Sequence, residues 1–290
     1  MELIEKEFKE WSILERGKFR SLKVALRKLL LFFRIYRVCY KLIYCNRYVF
    51  IIRNLLNDEN ELKNVNIEVT TKCNRRCSFC PVSYDTSREE ISMSTKLFTK
   101  IIDELKDIGF DGVIEISLFG EPLMDKRIIK FIKYIKLNTK IKTIIYTNGD
   151  LLTVQLAHKL INSGIGHIIV SQHDATPSKQ IRLLKEYDWG DKILFKAQNA
   201  TSRVLINRGG TVNVKTLYPI SCSINAMVIR ADGKVCLCCQ DYYNEVVFGD
   251  VNNESIYDIW NKESYRNIRR ELKRGIFRLP ICKRCLGKEV

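Results

Sequence analysis

Three of the eleven cysteines, Cys73, Cys77 and Cys80, fall on one short stretch, Thr-Lys-Cys-Asn-Arg-Arg-Cys-Ser-Phe-Cys-Pro. Zinc sites built from paired Cys-x-x-Cys knuckles space their ligands differently. A disulfide framework does not suit an odd number of thiols on a loop this short. Three thiolates here suit a cubane [4Fe–4S] cluster, which takes soft sulfur ligands, and the set stops one short of four. The iron left without a protein ligand is an open coordination position, and chemistry is expected there. The competing reading is a chance group of buried thiols.

A β-branched apolar run, Val65 to Val69, leads into this stretch, and from Asn66 onward short apolar runs alternate with helical periods. Strands are expected at Ile67–Thr70, Val113–Leu118, Thr143–Tyr146, His167–Ser171 and Ile193–Lys196. Helices are expected at about Ser94–Asp107, Lys126–Lys136, Val154–Ser163 and Pro177–Glu186. Such alternation with short loops implies an α/β fold with a parallel sheet. The pattern breaks near Asn199, so a partial barrel of about five to six strands is expected, not an eight-strand closure.

The carboxyl ends of these strands carry Gly120-Glu121-Pro122, Tyr146-Thr-Asn148-Gly-Asp150 and Ser171-Gln-His173-Asp174. Alone, each reads as an ordinary turn. A glycine there lets backbone approach a ligand, and a carboxylate accepts hydrogen bonds from an ammonium. Further on, Asn207-Arg208-Gly209-Gly210 reads as a tight turn that presents an arginine.

At 290 residues and 46% apolar, the chain can bury one full core and a smaller satellite. Eleven cysteines without a cleavable secretory signal point to a reducing cytoplasm and to thiols used as metal ligands. No apolar run reaches the ~18–20 residues that cross a bilayer. The formal net charge of +16 calls for an acidic partner. Much of it lies between Ser12 and Arg53, where eleven Lys/Arg face one acid, Glu15. On a helix, Arg16, Arg20, Lys23, Arg27, Arg34, Arg37 and Lys41 form a basic stripe beside a wide apolar face. Two readings stand: a helix lying on an anionic membrane surface, which would make the protein peripheral, or a helix packed on the outside of the α/β body. A nucleic-acid arm is disfavoured, because the aromatics lie among the apolar residues instead of between the cations. The expected organisation is a basic amphipathic helical extension at 1–60, an α/β barrel at 61–216 and a cysteine-rich domain at 217–290.

Cys73-x3-Cys77-x-Phe79-Cys80 resembles the signature of the radical S-adenosylmethionine (SAM) enzymes, including the aromatic residue Phe79 before the last cysteine. The resemblance implies that SAM chelates the open iron through its amino and carboxylate groups. An external one-electron donor of flavodoxin or ferredoxin type would then drive its cleavage to methionine and a 5′-deoxyadenosyl radical. It also implies SAM contacts at Gly120, Glu121 and Pro122, at Asn148 and at Ser171, with Arg182 as a candidate carboxylate partner. Cys222, Cys238, Cys282 and Cys285, with Gly249 to Trp260 and a helix at Ser264–Leu272, resemble the family's short SPASM or twitch domain. There the four thiolates would fully ligate an auxiliary [4Fe–4S] cluster; a four-cysteine zinc site is the competing reading. Cys236 and Cys239 are then spare.

Within the family, residues from about Val65 to Cys285 resemble the 2-deoxy-scyllo-inosamine dehydrogenases, which oxidise a carbinol of an amino-cyclitol to a ketone. The shared stretches are Phe119 to Leu123, Tyr146 to Asp150, Gln172-His173 and Asn207 to Gly210. The resemblance gives Arg208 to the substrate hydroxyl and places Phe119, His173 and Gln240 around the substrate. Arginine stays charged at ordinary pH, so Arg208 orients and stabilises instead of acting as a base. Phe119 replaces a tyrosine and Gln240 a glutamate, so an ammonium-bearing substrate loses its ion pair and a different sugar or polyol fits better. Cys239 opens a second outcome, epimerisation by hydrogen donation from its thiol. Peptide maturation is a third, and a non-catalytic iron–sulfur membrane scaffold the reading from another class. An open iron beside Glu121 and Asn148 argues against the scaffold.

Overall fold

The structure is a computed structural model that describes residues 60–85, 87–197, 207–212, 222 and 224–287. All but the last residue of the basic extension expected at 1–60, with Cys39 and Cys45, lies outside the described residues.

One eight-stranded sheet organises the chain, in the order β5-β4-β3-β2-β1-β6-β7-β8. Its strands are β1 (Asn64–Ile67), β2 (Val113–Ile116), β3 (Lys142–Thr147), β4 (His167–Gln172), β5 (Ile193–Ala197), β6 (Ala226–Ile229), β7 (Lys234–Cys236) and β8 (Val247–Asp250). The first six form a continuous parallel set, and β7 and β8 close the far edge as antiparallel neighbours. This is the mostly parallel α/β fold expected, with six parallel strands.

Helices α1 (Thr95–Asp107), α2 (Ile128–Asn138), α3 (Val154–Asn162) and α4 (Lys179–Lys185) connect the parallel strands. Their starts are fixed by short polar caps: Ser94, Thr153 and Ser178 each accept a backbone N–H three residues on. Their apolar stripes meet the buried strand residues Val65, Ile67, Ile114, Ile116, Ile145, Ile168 and Val170. Phe98 of α1 stacks on Phe131 of α2 at 4.0 Å between ring centroids. Each such aliphatic side chain removed from water contributes roughly 1.5–3 kcal/mol before entropy is counted. The carboxyl-terminal part adds α5 (Ile256–Asn261), α6 (Glu263–Lys273) and α7 (Pro280–Cys285).

The expected helices agree with the observed ones to within two residues at each end, but β1 begins three residues before the expected strand. Two asparagines obscure it in the sequence. In the sheet both amides donate across the strand pair, Asn64 Nδ2 to Glu115 Oε1 and Asn66 Nδ2 to Glu115 Oε2, each at 3.3 Å, while the buried Asn66 Oδ1 has no partner among the described residues. Six parallel strands fall within the expected five to six, but the sixth was not among the segments named as strands. It comes from the cysteine-rich segment and pairs with β1 over Asn64–Ile67, so that segment extends the same sheet.

Candidate active site

In a parallel α/β sheet, loops at the carboxyl ends of the strands share one edge, and ligands bind there. The residues singled out in the sequence collect on that edge.

The cysteine loop leaves β1 through Thr70 and Thr71. Thr71 is tied to the chain at 89–91, its N–H donating to the Ile91 carbonyl (2.9 Å) and its hydroxyl to the Glu89 carbonyl (2.8 Å). Within the loop, the Cys80 N–H and the Ser83 hydroxyl both donate to the Cys77 carbonyl, at 2.9 and 2.6 Å, and the Arg75 N–H reaches the Cys73 sulfur at 3.5 Å. All three thiols are free and partly buried. Burial pushes the Cys73 thiol up and that of Cys77 to about 11, with neighbouring cysteines adding to both. Among the described residues, no group of three His, Cys, Asp or Glu side chains is gathered as a site for a single metal ion. Three partly buried free thiols on one loop, near enough to perturb one another, are the soft donors a cubane takes.

Gly120 is required by the next loop. A Cβ there would sit 1.8 Å from the Thr70 carbonyl oxygen, so only glycine lets the β2 loop nest against the backbone leading to Cys73. The Glu121 N–H then donates to the Lys72 carbonyl at 2.7 Å. The Glu121 carboxyl group is buried. It accepts from the Thr147 hydroxyl (2.7 Å), the Asn148 N–H (2.8 Å) and the Leu123 N–H (3.1 Å). A carboxylate has about four acceptor positions, so one remains for an incoming donor. Burial outweighs these hydrogen bonds and pushes Glu121 up to about 7. Pro122 is buried in the turn that follows.

Asn148 donates from Nδ2 to Asn74 Oδ1 at 2.8 Å and accepts the Asp150 N–H at 3.0 Å. Arg75, between two of the cysteines, reaches Asp150 and Asp174 at the ends of β3 and β4. Phe79 packs beside His173 at 5.4 Å between centroids, and with Cys77, Ser78, Arg75 and Asp174 they line a cavity of about 340 Å³. Ser171 is buried at the end of β4. Arg182 is exposed on α4 and donates to the Pro177 carbonyl at 2.7 Å.

A second constellation centres on Phe119. Its ring meets Tyr242 edge-on at 4.9 Å, and both pack with Val82 beside Cys73 and Cys80. Three guanidinium groups lie within 5.1–5.8 Å of the Phe119 centroid, those of Arg88, Arg208 and Arg230. Arg88 and Arg230 share the buried carboxylate of Glu68, at 2.8 and 2.9 Å. Arg208 begins the turn Arg208–Gly210 in the left-handed region at φ 51, a strained position for a side-chain-bearing residue. That turn is seated on α7, the helix of Cys282 and Cys285. Asn207 Nδ2 donates to the Arg284 carbonyl (2.7 Å) and Arg284 Nε to the Gly209 carbonyl (3.1 Å). Arg208 Nη1 donates to Gln240 Oε1, and Gln240 Nε2 reaches the exposed sulfur of Cys239, each at 3.3 Å.

The auxiliary cysteines are neighbours. Cys282 and Cys285 lie one turn apart on α7, and the Cys222 N–H is held by the Leu272 carbonyl at the end of α6 (3.0 Å). Burial pushes Cys222 up to about 12, with Cys239, Cys282 and Cys285 adding. Cys238 is raised by burial, then by Cys239 and Cys222. Such a donor set fits a fully ligated cluster, and Cys239 stands at its side.

Sequence reasoning did not single out Glu68, Arg88, Arg230, Tyr242 or the Arg75 bridge. Charged loop residues read as solvated by default. The one available signal was Glu68, a charge inside the β-branched run beside the cysteine loop.

Comparison with known proteins agrees with this architecture. The family model for the Radical SAM superfamily matches residues 67–206, and that for SPASM, an iron–sulfur cluster-binding domain, residues 222–286. The SAM-dependent 2-deoxy-scyllo-inosamine dehydrogenase of Niallia circulans is 30% identical over 231 residues, covering 76% of this chain and 91% of the relative. The crystal structure of BtrN with AdoMet and 2-DOIA superposes with a TM-score of 0.71 at 29% identity, over 77% of this chain and 92% of that one. AdoMet-bound anSMEcpe shares the fold alone, at 12% identity and a TM-score of 0.55. With the cysteine loop, the parallel sheet and the second thiol set in place, this chain belongs to the radical SAM superfamily: an enzyme with a SAM-binding [4Fe–4S] cluster and a SPASM-type auxiliary cluster domain.

Proposed function

We propose that the enzyme oxidises a carbinol of a sugar or cyclitol to a ketone, with Cys73, Cys77 and Cys80 holding the SAM-binding cluster and Cys222, Cys238, Cys282 and Cys285 the auxiliary one. Glu121, Asn148 and Ser171 would hold SAM. When bound, these groups supply an acceptor for a hydrogen atom and an acceptor for an electron. The carbinol loses one hydrogen as an atom from carbon, then a proton from oxygen and one electron, which leaves the carbonyl.

The observation that carries the reading is the seat of Arg208. Its turn is fastened to the helix of Cys282 and Cys285, while its guanidinium faces Phe119, whose ring packs beside Cys73 and Cys80. A substrate hydroxyl at Arg208 would therefore lie between the two thiol sets. The guanidinium orients that oxygen and stabilises its developing charge as the proton leaves to solvent. Gln240, already bonded to Arg208, offers an amide to a neutral polyol. The electron enters from an external flavodoxin- or ferredoxin-type donor.

A second reading, epimerisation, is favoured by one observation. The exposed Cys239 sulfur is two hydrogen bonds from Arg208, through Gln240. Turnover of candidate sugars in deuterium oxide separates the two. Oxidation gives a ketone without solvent deuterium at the reacting carbon. An inverted, deuterated product, with Cys239→Ala yielding only 5′-deoxyadenosine, would establish epimerisation instead.

A further inference from the structure

Arg75 lies between Cys73 and Cys77 and lines the same cavity as Cys77, and its side chain reaches the ends of β3 and β4. Nε and Nη2 donate to the two oxygens of Asp150 at 2.5 and 2.6 Å, and Nη1 donates to Asp174 Oδ2 at 2.7 Å. Its neighbour Asn74 donates to Asp150 Oδ2 at 3.3 Å and accepts from Asn148 at 2.8 Å. An exposed ion pair contributes little. This guanidinium is only 15% exposed and makes three charge-assisted bonds that join three separate loops. The planar fork is needed for the two-point contact with Asp150, which a lysine ammonium cannot reproduce.

One of those loops begins with Asn148, another follows Ser171 at the end of β4, and the third carries the cysteines. We propose that Arg75 is a positioning residue that locks the cluster loop to the β3 and β4 loops, setting the spacing between the open iron and the SAM-binding groups before SAM arrives. The clamp rests on the reading of those two loops as SAM contacts. Without it the cysteines still ligate, but SAM must order the loops itself, and its affinity falls by that cost.

The test uses full-length, anaerobically reconstituted protein as wild type, Arg75→Gln, Arg75→Lys and Asp174→Asn. Iron content and the electron paramagnetic resonance spectrum of the reduced protein are followed during titration with SAM. Arg75→Gln should keep wild-type iron and need about tenfold more SAM for the SAM-dependent spectral change, a loss of about 1.4 kcal/mol. Arg75→Lys should recover part of the affinity, and Asp174→Asn should show a smaller loss in the same direction. A wild-type titration in Arg75→Gln would overturn the clamp. So would loss of iron in both Arg75 variants with a normal titration in Asp174→Asn, since Arg75 would then only staple the loop. A wild-type protein with no SAM-dependent change would refute the SAM reading of the two loops, and the clamp with it.

Discussion

Glu121 is a buried carboxyl group with three donors around it, and we propose that its remaining acceptor position receives the SAM amino group. Because burial holds its folded value at about 7, above the ordinary 4.5, its contribution to stability is full below pH 4.5. That contribution is lost as the pH rises to about 7, by about 3 kcal/mol. In SAM-free protein, stability should decline between those limits, and Glu121→Gln should flatten the decline in chemical-denaturation curves. If Glu121 takes the SAM amino group, SAM affinity in wild type should rise as the pH passes through about 7, whereas Glu121→Gln should bind weakly with no such rise. At the same scale, Arg208→Lys should leave SAM cleavage intact and lower substrate turnover by about 10²-fold, the size of effect found when an oriented donor is lost. Comparing 5′-deoxyadenosine with ketone formed per minute measures it. Arg208 could be named from sequence because Asn207 to Gly210 matches a stretch of the dehydrogenases it resembles; alone, Asn-Arg-Gly-Gly reads only as a tight turn. Glu68 could not be given a partner, since Arg88 and Arg230 lie 20 and 162 residues away and sequence does not state which loops meet.

The βα units were legible because they are local: caps such as Ser94 and Thr153 sit where the apolar period begins, and the helix ends follow. The start of β1 was not, because the cost of its two asparagines is offset only by Glu115 on another strand. The loops between elements carry the sharper constraints. At Gly120 a methyl group would overlap the Thr70 carbonyl, and backbone cannot move aside as a flexible side chain can. Gly120→Ala should therefore displace the cysteine loop, lowering iron incorporation and the melting temperature together. Glu68→Gln tests the other side of the loop. Removing the one carboxylate between two nearly buried guanidiniums should cost about 3–5 kcal/mol, read as a shift in denaturation midpoint.

For the whole molecule, two thiol sets of three and four should carry about eight irons when each holds a cubane. Replacing Cys73, Cys77 and Cys80 with alanine should leave about four irons and abolish SAM cleavage. Zinc in the second set would refute the proposed oxidase. Among the described residues no helix is long and apolar enough to cross a membrane. Association with anionic vesicles through residues 1–60 remains a proposal, motivated by the run of cations from Arg16 to Arg53. Removing that segment should reduce co-sedimentation with such vesicles at low salt, over a Debye length of ~10 Å. Equal sedimentation with and without the segment would exclude it.

The position of β1 also bears on how the enzyme is made. Both of its neighbours come later in the chain, β2 at Val113 and β6 only at Ala226, so the strand that launches the cysteine loop, the first among the described residues, waits on one side for a partner about 160 residues on. Pairings this distant in sequence form slowly, because a long loop must close before the contact is rewarded. Until then β1 presents a row of unpaired backbone groups on which other chains can add. A fragment ending near residue 220 would keep the three cysteines and every βα unit, yet leave that edge open for good. Such a fragment should precipitate on expression, and iron supplied during synthesis would reach a loop whose supporting strand is not yet flanked on both sides.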